Sequence, residues 1–436
     1  MNPCRSASNR RGGVLVAVTV IGVILAIIQM GTLQLGFHSR TMAARSRQEL
    51  SARCAADAAL NEAVWKMRES LAAGAFVQPP NVADVAIEGM AATYDYTITN
   101  PDPEYPVSPP AFYTLPSLTF RIDATGYCAG AIRTVHAVVH VTSVLGEGVG
   151  VKESIDFKNS ITVETWPVTG GYVTVRSNTT TSSNPIWVRS AVIFAGGGEV
   201  LVGPGGDPES IINVKNNVDP EPAVGTASEM IYFEPVAPPP IAARTQAELT
   251  VGSGTKHTLG PGSHRFGAIS IDGNGVLEID AGAGNEVILY VDGMHKPSQA
   301  AMTIGNTGEL RVTSGAVKLF LGGDFSAANG SIISNYANDA TKLRLYGLPQ
   351  GITDSYGTAP GCQAINLNNS GTFYGSIYAP EASVNVNNSG DLYGAIVAED
   401  CAFNNSSTFY LDTRLLQVTD INDPTARFSI VRWWED

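Results

Sequence analysis

The sequence predicts a mainly β protein with one long N-terminal helix, a small antiparallel sheet, and then a parallel β-helix. Three observations carry that expectation. No ionisable side chain lies between Arg11 and His38, and no proline interrupts the chain from Gly12 to Pro79. The composition, with 45 Gly, 25 Pro and only 15% charged residues in 436, is that of a turn-rich β protein. Finally, INLNNSGTFYGSIYAPEAS (365–383) aligns without gaps on VNVNNSGDLYGAIVAEDCA (384–402), a repeat of 19 residues.

The N-terminus divides into a basic leader (1–12, with Arg5, Arg10 and Arg11), a transmembrane helix (13–37) and an amphipathic continuation (38–73). As a helix the uncharged run reaches ~39 Å, enough to cross a ~30 Å hydrocarbon core with some tilt. It is longer than the ~7–15 apolar residues of a secretory signal, and no A-x-A site follows, so a retained anchor is expected. Six alanines fall between Ala52 and Ala63, and Leu60, Val64, Met67 and Leu71 form one stripe of helical period. Glu62 and Lys66 stand four apart in the favourable order, and Gly74 is the expected stop. The whole helix would run ~90 Å.

Residues 74–147 read as the small β domain. ATYDYTITN alternates, a proline-rich loop follows (Pro101, Pro103, Pro106, Pro109, Pro110, Pro116), and SLTFRIDATGYC and AIRTVHAVVHVTSV supply two more strands around a Cys-Ala-Gly turn. Val135, Ala137, Val139 and Val141 share one face, with Thr134, His136 and His140 on the other. The two histidines stand ~13 Å apart along the strand, too far for one metal ion's ~2 Å bonds, so they are expected to face solvent.

From residue 148 short β runs alternate with Gly, Asn and Ser turns. Residues 148–218 are expected to form the first part of the β-helix, 247–418 its repeats, and 419–436 a C-terminal cap built on Trp433 and Trp434. The 19-residue register predicts a buried column of Ile365, Val384 and Phe403, a second of Phe373, Leu392 and Phe409, and a row of Tyr374, Tyr393 and Tyr410. Asn368-Asn369, Asn387-Asn388 and Asn404-Asn405 mark the corners. Upstream, Ile271 matches Ile304, Leu277 matches Leu310, and Ile279 matches Val312. A β-sandwich would not explain the gapless repeat. Residues 219–246 hold six prolines, which cannot join a central ladder. They read either as a surface strap anchored by Tyr232 and Phe233 or as a linker between two domains.

Composition also bounds the function. A net charge of −13 argues against nucleic acid as a partner. The chain has no G-x-x-x-x-G-K-[ST], H-E-x-x-H or G-x-S-x-G, and its five cysteines form no C-x-x-C. No catalytic residue, cofactor-binding residue, metal ligand or cofactor is expected, and the chain reads as a non-enzyme. Gly205-Gly206-Asp207 and Gly322-Gly323-Asp324 occur singly, unlike tandem calcium-binding repeats, and read as turns. The alternative is an anchored, extracytoplasmic polysaccharide-active enzyme, whose carboxylates would be Glu381, Glu399 and Asp400.

The leader ending Arg10-Arg11-Gly12-Gly13, the uncharged helix and the stretch RQELSARCAADAALNEA resemble the N-terminal segment of the type IV pilin superfamily, most closely PilX-like pilus assembly proteins. The resemblance covers about residues 8–72. It implies leader removal by a prepilin peptidase after Gly12 or Gly13, other pilin-like subunits as partners, and a membrane-anchored protein with its large domain outside the cytoplasmic membrane, incorporated in a pilus or a type II secretion-like machine. Major pilins carry glutamate at the fifth mature position, where this chain has Ala17 or Val18. The segment TFYGSIYAPEASV and its repeat look like the C-terminal repeat domain that accompanies many PilX-like N-termini. The β-helix is expected to present a binding or adhesive surface, with a polysaccharide or surface ligand as its partner. Outside the cytoplasm thiols tend to pair. Cys54 and Cys128 are the pair able to staple helix to sheet, whereas Cys362 and Cys401 lie two rungs apart, ~9.6 Å, beyond disulfide reach.

Overall fold

The computed structural model describes residues 11–72, 76–100 and 118–436, apart from 159, 190, 216–217, 242, 388–389, 405–407 and 418–420. The leader up to Arg10, Gly74, the six prolines from Pro101 to Pro116, and Asn388 and Asn405 lie outside the described residues. The protein is mainly β with one long N-terminal helix, and its sheets are mostly parallel. It divides into two compact units, Met1–Lys66, Gln78–Val139 and Ile430–Asp436 forming one, and Met67–Val77 and His140–Ser429 the other.

Helix α1 (Arg11–Ala72, 62 residues) is continuous, with Gly12 and Gly13 inside its first turn. From Ala17 onward its first half is exposed and apolar: Val18, Ile21, Leu25, Ile28 and Phe37 are all more than half exposed. It is long and apolar enough to cross a membrane. The second half changes character past Arg47, where Ala52, Ala55, Ala56, Ala59 and Ala63 are fully buried and Leu60 and Val64 nearly so.

Those alanines let the helix lie directly on a sheet. β1 (Val82–Ala86), β2 (Thr93–Thr99), β3 (Thr119–Cys128) and β4 (Ala131–Ser143) are consecutive neighbours. β1 with β2 and β2 with β3 are antiparallel, and Tyr96 stands opposite Ala124. The β3–β4 hairpin turns at Ala129-Gly130, both with positive φ (47° and 90°), which suits a two-residue hairpin. At Gly126 on β3 a Cβ would stand 1.9 Å from the Ala52 carbonyl oxygen and 2.6 Å from the Ala56 nitrogen, so only glycine fits. On the helix flank Lys66 pairs with Glu62 at 2.5 Å, and the Tyr94 hydroxyl donates to Glu62. Burial, then that bond, pushes the Tyr94 phenol up to about 12.

Three sequence expectations are corrected in this unit. The C-terminal strand Ala426–Glu435 does not cap a solenoid; it is the fifth strand of this sheet, beside β4. The Asp436 nitrogen donates to the Thr134 carbonyl at 3.2 Å. An unpaired β4 edge is an open row of donors and acceptors, and a strand-forming tail satisfies it. As a result His136 is buried (7% exposed) rather than solvent-facing, while His140 is exposed. The His136 ring stacks on Trp434 at 5.0 Å, with Nε2 2.9 Å from Asp436 and Nδ1 2.5 Å from Asp123. The expected Cys54–Cys128 bond is also absent: Cys54 is exposed, Cys128 is buried, and both are free thiols. The stripe turned inward is made of alanines, which leaves Cys54 on the other side of the helix.

In the second unit β5 (Val149–Val151), β6 (Ile155–Phe157), β7 (Thr162–Trp166) and the strands after them pair in parallel, each with a strand one repeat on. Ile365 pairs with Val384 and Leu367 with Val386; Ile271 pairs with Ile304, Leu277 with Leu310, and Ile279 with Val312. Asn387 donates to Asn368 at 2.6 Å and Asn385 to Asn366 at 3.2 Å, so the corner asparagines bond their equivalents. Cys362 and Cys401 are both buried free thiols.

The third repeat departs from the 19-residue register. Phe403 pairs with Val386, and Cys401 takes the place beside Val384. The register shifts between Ala379 and Ser383, because the first copy carries two more residues through Pro380-Glu381-Ala382 than the second does. Phe403 then stacks on Phe157 at 5.0 Å in a different column. That contact marks a join between distant parts of the chain, where FKNSIT (157–162) matches FNNSST (403–408). The strand Leu392–Phe403 pairs with β5 and β6, and the strand Thr408–Asp412 with β7, so residues near 150 continue the ladder where residues near 410 leave it.

Because the chain enters at that junction, it must travel back before laying down its later strands; Ala223–Thr226 first pairs in parallel with Gly198–Val202, despite the flanking prolines, and the rest of 219–246 makes the journey. Ile231 exchanges bonds with Asn178 (2.8 and 2.7 Å), the Glu234 carbonyl accepts from Tyr378 (2.7 Å), and the Ile241 carbonyl accepts from Arg265 (3.0 Å). The buried anchors are Ile231 and Val236; Tyr232 is 63% exposed, and Phe233 is only partly buried against the core.

The turn before the C-terminal strand is fixed by Asp423, which is almost fully buried. It accepts from Thr425 Oγ1 (2.6 Å), the Thr425 nitrogen (2.9 Å) and the Tyr346 hydroxyl (2.9 Å), and pairs with Arg344. Burial pushes its carboxyl up, but Arg344 and the two Thr425 bonds outweigh that and hold it below the ordinary aspartate value. A depressed folded value means stability that is complete above the unfolded value of ~3.9 and is lost as pH falls through the folded one. Unfolding midpoints followed from about pH 6 to 2 should therefore fall below about pH 4, less steeply in Asp423→Asn, which lacks the titrating group. Parallel curves for the two proteins would refute that account.

Candidate functional site

The Tyr row of the sequence is a physical stack. Tyr374 pairs with Tyr393 and Tyr393 with Tyr410 in register. Their ring centroids are 4.4 and 4.3 Å apart, with interplanar angles of 19° and 10°. Trp166 of β7 abuts the column edge-on at Tyr393 (5.4 Å) and Tyr410 (6.4 Å). The residue after each of the first two tyrosines is glycine, and a Cβ on Gly394 would stand 1.8 Å from the Gly375 carbonyl oxygen. Omitting that side chain lets neighbouring rungs approach closely enough for the rings to stack. Burial, ahead of the neighbouring tyrosine and aspartate charges, raises the Tyr393 phenol well above its ordinary value.

At the Tyr374 end of the column lies an open groove of about 560 Å³ lined by Ser334, Asn335, Tyr336, Asn338, Thr372 and Tyr374. Its floor is fixed by Asn335, only 4% exposed, whose amide donates to the Asp339 carbonyl (2.8 Å) and the Tyr374 carbonyl (3.1 Å). The charged groups around it are paired with one another: Arg311 with Glu309 at 2.5 Å, and Arg414 with Asp412 at 2.5 Å. The lining itself is uncharged, with one exposed ring in Tyr336. Sequence reasoning found the column but missed the groove, since Tyr336 belongs to no repeat copy.

The three carboxylates singled out in the sequence do come together, with a fourth. The Glu399 carboxyl is raised by burial first and then by Glu153, Asp400 and Glu381, with Lys152 beside them pulling the other way. Glu153 reaches the cluster because its nitrogen bonds the Glu399 carbonyl at 2.8 Å, a consequence of the junction with β5. Asp400 is engaged by Ser154 through Oγ (2.5 Å) and nitrogen (2.9 Å). The glycine-aspartate motifs are turns: Asp324 accepts from the Gln363 and Ala364 nitrogens (2.9 Å each), and Asp207 caps the short helix Pro208–Ile211. Among the described residues no group of three or more His, Cys, Asp or Glu is placed to hold a metal ion.

A second cluster, not legible in the sequence, centres on Asp292, which is fully buried. Arg244 grips it with two bonds of 2.7 Å, Arg265 adds one of 2.9 Å, and the Met294 nitrogen one of 3.0 Å. Arg265 also pairs with Asp354, and both guanidinium groups lie over the Tyr356 ring at 4.3 and 4.9 Å. Every carboxylate oxygen is used, so this is a structural knot that clamps the end of the 219–246 segment.

A family model described as Domain of unknown function (DUF7305) matches residues 241–418. Among solved structures, the competence-associated pilin ComZ from Thermus thermophilus is similar at a TM-score of 0.30 and 10% identity, over 89% of this chain and 97% of that one. No curated protein matches the chain.

Proposed function

We propose that the chain is a membrane-anchored, pilin-like structural component of a type IV pilus or type II secretion-like machine, of the PilX-like kind, that displays a binding module outside the cytoplasmic membrane. One observation carries this reading: a single uninterrupted helix is exposed and apolar over its first half, and buries a stripe of alanines on an antiparallel sheet over its second. An apolar half of that length needs lipid or other apolar helices around it. A helix shared between membrane and folded domain can be handed from bilayer to filament without refolding. The reading assigns the chain a structural role and no catalytic one. The mostly parallel second unit is read as a parallel β-helix, supported by the repeat-to-repeat pairing of Ile365 with Val384 and Ile271 with Ile304.

Mass spectrometry of the protein extracted from membranes is the test. The mature chain is expected to begin at Gly13 or Val14, the leader having been removed after Gly12 or Gly13. An intact Met1 would overturn the pilin-like reading.

A further inference from the structure

We infer that the groove between Tyr336 and Tyr374 is a binding site for a neutral oligosaccharide. The inference rests on the second unit being a displayed binding module and is independent of how the N-terminus is anchored. Its volume of about 560 Å³ lies within the ~300–1,000 Å³ range of small-molecule clefts, and it is widely open to solvent, so a ligand can extend beyond it.

The chemistry of the lining narrows the ligand class. Two phenol rings, two side-chain amides and two hydroxyls surround the space, and no lysine, arginine, aspartate or glutamate lines it. The charges nearby are already committed: Glu309 to Arg311 and to Ser334 (2.6 Å), and Arg414 to Asp412 and to the Asn338 carbonyl (2.9 Å). A charged ligand would find no counter-ion here and would lose its hydration without return. A sugar ring offers C–H faces for an aromatic platform and hydroxyls for the Asn338 amide and the Ser334 and Thr372 hydroxyls, the Asn335 amide being committed to the floor.

The tyrosine column supplies preorganisation. Tyr393 and Tyr410 stack behind Tyr374, so the ring at the groove is held before the ligand arrives and little rotamer freedom is lost on binding. In this stack of three, Tyr393 is covered on both faces, and of the two end rings Tyr374 is the one that meets the groove. Tyr336, 58% exposed, supplies the second ring, with Arg311 5.8 Å from its centroid.

The test is calorimetric titration of the detergent-solubilised full chain with maltohexaose, cellohexaose and chitohexaose, with polygalacturonate as the anionic comparator. At least one neutral hexasaccharide is expected to bind, and Tyr336→Ala and Tyr374→Ala should each weaken it by about tenfold or more. Tyr232→Ala, an exposed ring on the 219–246 segment, should leave binding unchanged. Tyr336 is a surface residue, so its variant keeps the test readable even if Tyr374→Ala disturbs the column. Failure of all three neutral ligands, binding of polygalacturonate alone, or affinity retained in both variants would overturn the assignment. An intact N-terminus would sink the pilin-like reading without touching this titration, and an inert groove would leave the anchor reading standing.

Discussion

Gly126→Val is expected to destabilise the first unit by about 3 kcal/mol or more and to loosen α1 from its sheet. The reason is geometric. A Cβ at this position would lie 1.9 Å from the Ala52 carbonyl oxygen, 2.6 Å from the Ala56 nitrogen and 2.8 Å from the Ala55 Cβ. Two of these are backbone atoms, which cannot swing aside as a flexible side chain does. The helix must therefore move off the sheet, and the fully buried alanines from Ala52 to Ala63 lose contact together. Thermal unfolding of the detergent-solubilised chain, with limited proteolysis around residue 50, reads both effects. Ala58→Val, at an exposed site on the same helix, is the control and should cost no more than a β-branched residue's helix penalty, ~0.5 kcal/mol. A Gly126→Val protein as stable as this control would mean that the helix does not lie on β3.

Asp292→Ala is expected to cost about 3–5 kcal/mol in the second unit, the usual consequence of removing one partner from a buried ionic cluster. Asp292 is fully buried and accepts from two guanidinium groups, one of them, on Arg265, only 3% exposed. Its loss leaves two cations facing each other with a single carboxylate, Asp354, beside them. Arg244→Ala should cost less, since Asp292 keeps Arg265 and the Met294 nitrogen. Urea unfolding followed by circular dichroism ranks the two variants. Proteolysis should report the local effect, with cleavage near Ile241 accelerated in Asp292→Ala, because the Arg265 that bonds the Ile241 carbonyl is no longer held. Equal stability losses in the two variants would show that the carboxylate is not the hub.

Local signals were legible where one element decides its own state. The proline-free run from Gly12 predicted a helix to within one or two residues of Arg11–Ala72, because propensity and period agree along its length. Matching apolar positions, Ile271 with Ile304 and Leu277 with Leu310, gave strand partners directly, since in a parallel ladder equivalent residues of successive repeats stack. The tyrosine row and the paired asparagines followed by the same logic.

Pairings between segments distant in the chain were far less legible. Val149–Val151 and Ile155–Phe157 lie far in the chain from the strand Leu392–Phe403, and only the short match of FKNSIT (157–162) to FNNSST (403–408) marks them as neighbours, Phe157 beside Phe403 and Thr162 beside Thr408. An open sheet edge accepts any strand of suitable length and apolar alternation, which let Ala426–Glu435 complete the five-stranded sheet instead of capping a solenoid, burying His136 as it did so. Cys54 and Cys128 failed as a pair because helix rotation about its axis was set by the close approach at Gly126, not by the thiols. By itself the sequence determined the long helix, its apolar half and the repeat that stacks its tyrosines. Only the tertiary structure decided which distant edges meet, and so placed Tyr336 beside Tyr374 and Asp292 between two arginines, because backbone hydrogen bonding between strands is blind to side-chain identity.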